Sequence, residues 1–129
     1  MTKTTFMDKY PLHSLEIPKN KTNMANVDEI LDYFKDKIIK HPVATFISTF
    51  NHYGHTKSIG GDINSEILEA KNIIFCFGAA IPNTKILAVR PRSIGVAELK
   101  ESFMIEFMHA PKEEIQDLLV TWSKELILK

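Results

Sequence analysis

The apolar positions of this chain change their period several times, and each change marks an element. Val27, Ile30, Leu31, Phe34 and Ile38 fall on one helical stripe, opened by Asn26 with Glu29 three residues on, a variant of the capping box. His41-Pro42 closes this helix, because the residue before a proline is pushed out of the α region. Val43 to Phe50 then reads as a strand, with Ala44, Phe46, Ser48 and Phe50 on one face and Val43, Thr45, Ile47 and Thr49 on the other. Asn51 to Gly61 suggests one loose helical turn between loops. Ile73 to Phe77, closed by Gly78, fits a fully buried strand.

Pro82-Asn83-Thr84 offers a second helix start, with Ile86, Leu87 and Val89 facing a core before Pro91 ends it. Ser93 to Leu99 and Phe103 to His109 alternate as two strands joined by Lys100-Glu101-Ser102, a hairpin connection. Pro111 suits the first position of a last helix, Glu113 and Glu114 its positive end, and Ile115, Leu118, Leu119, Trp122 and Leu126 its stripe. Residues 1-24 show neither period, so they are expected to form an irregular N-terminal arm preceding a single α+β domain over 25-129. Phe6, Tyr10, Leu12, Leu15 and Ile17 in that arm argue against disorder.

Size and charge narrow the function more than the fold. A chain of 129 residues has room for one core without a disulfide or metal staple. Sixteen basic and 16 acidic side chains cancel, and only Arg90 and Arg92 are arginines, so no basic surplus points to nucleic acid. The lone Cys76 makes no internal disulfide, and no apolar run reaches the length of a membrane span; a cytoplasmic protein is expected. Flanked by Ile74, Phe75 and Phe77, Cys76 reads as an inert core thiol, and Trp122 as core packing.

Asn51-His52, the strand Ile73-Ile74-Phe75-Cys76-Phe77 closing on Gly78, and Ile94-Gly95-Val96 before Glu98-Leu99 form a recognisable series. Over residues 27 to 109 the chain resembles the domain of unknown function family 302. That family shows Asp-His after a strand, a strand ending in Phe-Gly-Asn-Pro, a short helix, and an Ile-Gly-Ile-Asp-Leu-Pro-like strand. Here Asn51 replaces the Asp, Ala79-Ala80 the Asn-Pro, and Lys100 the last Pro. The resemblance implies a TATA-binding-protein-like α+β fold, an antiparallel sheet with helices packed on one face, and a homodimer. It implies no activity, since a fold does not fix a function.

Two places have chemistry to offer. His52 and His55, three apart on a helical turn, would share a face and could take part in a metal or haem site, but two ligands are too few, and no Cys-x-x-Cys or His-Glu-x-x-His accompanies them. The second is the passage from Gly78 through Thr84, where small residues leave a strand and enter a helix. Free amides there, with Thr84, Lys85, Arg90 and Arg92 close by, would suit a carboxylate or phosphate. Lys85 and Arg90 are more than a turn apart, so they converge only if Arg90 bends back or a dimer partner supplies it. His41 is expected to serve the end of the first helix, and His13 and His109 have no partner recognisable in sequence.

The sequence therefore favours a non-catalytic domain that binds a small molecule, an anion being one candidate, or regulates a partner, with His52, His55, Thr84, Lys85, Arg90 and Arg92 as site residues. A metal- or haem-dependent enzyme using His52 and His55, and a purely structural interaction module, are the alternatives. The cofactor is left open.

Overall fold

The computed structural model describes residues 1–109 and 111–129. The first helix, α1 (Val27–Lys40), forms where the apolar stripe lies: Val27, Ile30, Leu31, Phe34 and Ile38 are buried. The Asn26 carboxamide accepts the Glu29 amide at 2.9 Å, and the Glu29 carboxylate accepts the Ala25 amide at 3.2 Å, so two amides of the helix entry are satisfied by side chains. His41 ends α1, but its imidazole serves the next strand: Nδ1 accepts the Val43 amide at 3.2 Å while the ring meets the edges of Phe77 and Trp122.

Six strands make one antiparallel sheet: β1 (Thr2–Phe6), β2 (Tyr10–Pro18), β3 (Ala44–Phe50), β4 (Glu69–Phe77), β5 (Arg92–Glu98) and β6 (Ser102–Met108), in the order β1-β2-β6-β5-β4-β3. Leu15 and Ile17, Ile73, Phe75 and Phe77, Ile94 and Val96, and Phe103, Ile105 and Phe107 point to one face, where α1 and α4 (Glu113–Lys124) close over them in a single core. Full burial of each such side chain is worth about 1.5–3 kcal/mol. Trp122, on α4, packs on Phe77, and its backbone carbonyl accepts the Tyr33 hydroxyl from α1 at 2.7 Å. The two helices are thereby tied together above the sheet. The architecture is the α+β fold with an antiparallel sheet that the sequence predicts.

Five local expectations change, the first being that Leu87 and Val89, expected to face a core after Pro82-Asn83-Thr84, are exposed at 60% and 45%. The segment expected to be an irregular arm is β1 and β2, paired through Thr2↔Ser14 to Phe6↔Tyr10 and docked on β6 through Leu12↔Met108 to Pro18↔Ser102. Its alternation is masked because Tyr10 and Leu12 occupy the opposite face from Leu15 and Ile17, which leaves the apolar residues without one period. In β3 a register shift between Phe46 and Ser48 sends Ser48 and Phe50 to the face opposite Ala44 and Phe46, so no one face carries all four. The strand at Ile73 to Phe77 is not buried throughout: Ile74 and Cys76 lie on the uncovered face and are half-exposed, because helices cover only one side. The last helix begins at Glu113 after Lys112, not at Pro111.

Candidate functional site at the Arg92 end of the sheet

The rows that carry the core do not stay apolar to their ends. On β5, Arg92 precedes Ile94 and Val96 in the covered row, and on β2, His13 precedes Leu15 and Ile17. These positions carry nitrogen instead of carbon, and the chain from Gly78 to Pro91 is strapped beside Arg92.

That strap begins at Gly78, whose φ of +87° suits glycine. A Cβ there would lie 3.1 Å from Arg90 Nη2. The missing side chain gives the Arg90 guanidinium its place: it folds back across the loop, and Nη1 donates to the Ala80 carbonyl at 3.0 Å. The bend required for Arg90 to approach the loop is present within one chain.

The helix after the loop, α3 (Ile86–Val89), has four residues. Its amides are already engaged: Ile86 donates to Asn83 Oδ1 at 3.2 Å, Leu87 to the Thr84 carbonyl at 3.2 Å and Ala88 to the Lys85 carbonyl at 3.0 Å. Attraction for an anion therefore has to come from side chains rather than from a helix end. Thr84 and Lys85 are solvent-exposed.

Beneath the strap lies a cavity of about 320 Å³, walled by Phe77, Ile86, Val89 and Ile115, with Arg90, Arg92 and Lys112 among its lining residues and no acidic side chain among them. A shallower cleft of about 1110 Å³ continues onto the uncovered face, over Leu12, Ile74 and Met108, with His52 at its side. Val89, Arg92 and Pro111 line both. Arg92 is half-buried, and its Nη2 donates to the Met108 carbonyl. Burial pushes its guanidinium down to about 10, which leaves it charged at neutral pH.

Of the residues expected at the site, Arg90 and Arg92 thus meet in the smaller cavity, and His52 and Arg92 in the larger cleft. Thr84, Lys85 and His55 line neither. His52 and His55 belong to α2 (His52–Ser58), whose Gly54 amide is capped by the Asn51 carboxamide at 2.9 Å. A Cβ on Gly54 would come within 2.7 Å of that carboxamide, so the glycine makes room for the cap. Both imidazoles rest on the Phe50 ring, with centroids at 5.2 and 5.5 Å. Among the described residues no three His, Cys, Asp or Glu side chains are arranged to hold a metal ion.

Sequence reasoning missed a group beside Arg92. His13 Nε2 lies 2.9 Å from His109 Nδ1, and His109 Nε2 lies 2.9 Å from Glu113 Oε1 at the start of α4. The His13 ring also stacks on Phe107. Burial first, then the charges of His109, Lys3 and Arg92, hold His13 below the ordinary imidazole range, with Glu113 opposing. Nothing local could reveal this pairing, because His13 and His109 are 96 residues apart and meet only through the β2–β6 register.

Fold and site together define an α+β domain whose antiparallel sheet is covered by helices on one face and carries Arg92, His13 and His109 near one end of β5, β2 and β6. A family model matches residues 1–128, and the chain belongs to the family of unknown function DUF6858. No curated protein and no solved structure matches it. Membership over almost the whole chain overturns the resemblance to domain of unknown function family 302, and the TATA-binding-protein-like likeness rested on that resemblance. The residues that carried it have local roles here: Asn51 caps α2, and Gly78 admits the Arg90 guanidinium. No helix among the described residues is long and apolar enough to cross a membrane.

Proposed function

We propose that this domain binds a small amphipathic anion, a carboxylate or phosphate with an apolar body, in the cavity between the strap and α4, without catalysing a reaction. The observation that carries this reading is an apolar cavity of about 320 Å³ whose charged lining residues, among the described ones, are Arg90, Arg92 and Lys112. That volume is at the small end of the range for ligand pockets, roughly 300–1,000 Å³. Phe77, Ile86, Val89 and Ile115 suit an apolar body, and the guanidinium groups suit bidentate hydrogen bonding to carboxylate or phosphate oxygens.

The test is a thermal-shift and calorimetric series of alkyl carboxylates and phosphates on the parent and on Arg90→Ala and Arg92→Ala. A charge-assisted contact is worth about 1.5–3 kcal/mol, so each substitution should weaken a bound anion by roughly 10- to 150-fold. If no anion stabilises the parent, or one stabilises parent and variants equally, the site is wrong.

Self-association is a second reading, and β3 favours it. This edge strand has no charged residue or proline from Ala44 to Phe50, and Ile47 is half-exposed at 50%. Edges usually carry such residues to deter pairing, so an uncharged edge suits a second copy of the chain. The register shift between Phe46 and Ser48 is an irregularity within this edge. Sedimentation equilibrium at micromolar concentration should give the dimer mass, and the monomer mass alone would rule the dimer out.

A further inference from the structure

The chain Glu113–His109–His13 fixes its own protons. A carboxylate only accepts hydrogen bonds, so His109 Nε2 carries the hydrogen toward Glu113 Oε1 at 2.9 Å. Neutral His109 then presents a lone pair at Nδ1, and His13 Nε2 must donate to it across 2.9 Å. One added proton fits without breaking either contact. It enters at His13 Nδ1, the Nε2 hydrogen of His13 passes to His109 Nδ1, and the positive charge rests on the imidazole paired with Glu113. A second proton does not fit, because two N–H groups would then face each other between the rings.

This chain borders the proposed anion site. His109 and Arg92 line the same cleft, Pro111 lines both cavities, and Arg92 donates to the carbonyl of Met108, the residue before His109. Lys3 on β1 and Arg92 on β5 are the cations acting on His13, and Glu113 on α4 is the anion. A proton held by the pair therefore adds positive charge next to the cavity already lined by Arg90, Arg92 and Lys112.

Resting on the anion-binding reading, we infer that the Glu113–His109–His13 chain couples anion binding at Arg92 to uptake of one proton. Linkage is reciprocal, so a bound anion favours the proton on the imidazole pair, and acidification tightens the anion. A linkage of typical size is read as a roughly fivefold or greater gain in affinity on acidification.

Two measurements separate the relay from the ligand. Long-range nitrogen–proton NMR of the ligand-free chain should show His13 and His109 titrating together in two steps, with Glu113→Gln moving the first step to lower pH. Independent imidazole titrations untouched by Glu113→Gln would overturn the relay whatever the cavity binds. Calorimetry of octanoate at about pH 6.5, in two buffers of different ionisation enthalpy, should show proton uptake that Glu113→Gln reduces and His109→Gln abolishes. Octanoate binding without proton uptake would overturn the coupling alone. Failure of octanoate to bind would sink the anion reading and the coupling with it, leaving the titration to decide the relay.

Discussion

Along β4, Ile73, Phe75 and Phe77 are closed in beneath α1 and α4, whereas the interleaved Asn72, Ile74 and Cys76 share the opposite face with Ser93, Gly95 and Glu106 and stay partly exposed. The two faces belong to the same strands and differ only in what covers them. Where helices lie, every second residue is carbon-rich and tightly packed; where none lies, apolar and polar residues mix. The polar groups of interest, His13, Arg92 and His109, occur neither in the middle of the covered face nor across the open one. They sit in the covered rows toward one end of β2, β5 and β6, half-buried enough for their charges to act on one another and near enough to solvent to meet a ligand.

The largest effect that follows is on the covered face. Trp122 is 6% exposed and packs on Phe77 and His41, so Trp122→Ala should cost about 3–5 kcal/mol in chemical denaturation. A midpoint unchanged from the parent would mean that α4 does not close the core. Removing the cap of α1 with Asn26→Ala should cost about 1 kcal/mol by the same measurement, since the Glu29 amide loses its acceptor.

Tyr33 sharpens the contrast through pH. Burial, with Glu125 adding to it, pushes its hydroxyl up to about 12 from an ordinary 10.0. The folded state thus holds the proton more tightly than the unfolded one, so this stability is fully present below about pH 10 and is lost as pH rises toward 12. Tyr33→Phe should cost about 0.5–1.5 kcal/mol at neutral pH, through loss of the bond to the Trp122 carbonyl, and should flatten the alkaline decline. An equally steep decline in the variant would place its cause elsewhere. The smallest effect belongs to the open face: Cys76→Ser should stay within about 0.5 kcal/mol, because the half-exposed thiol's hydrogen bonds among the described residues are long ones to carbonyls at 3.8 and 3.9 Å. A loss above 1 kcal/mol would mean that this face is covered after all.

The elements with one clean period were legible in the sequence. The stripe Val27 to Ile38 and the alternation of Phe103, Ile105 and Phe107 gave α1 and β6 because each buries a single face. The β1–β2 hairpin was not legible, since it puts apolar residues on both faces, and neither was the register shift in β3, which depends on its neighbour. At the site, Arg90 and Arg92 were visible as the chain's only arginines. The strand period could also have marked Arg92 as a charge in the row of Ile94 and Val96. The His13–His109–Glu113 chain was beyond reach because long-range register alone brings its two imidazoles together. His52 and His55 were misleading: their helical spacing does bring them to one place, but what lies there is the ring of Phe50.

The claim that the domain holds an anion at the Arg92 end of the sheet is tested most directly by mapping amide and methyl chemical-shift changes as octanoate is titrated into the full chain. Saturable shifts are expected, centred on Gly78, Ile86, Val89, Arg90, Arg92 and Ile115, with His55 and the middle of the open face unmoved. Shifts centred on α2, or none that saturate, would contradict it.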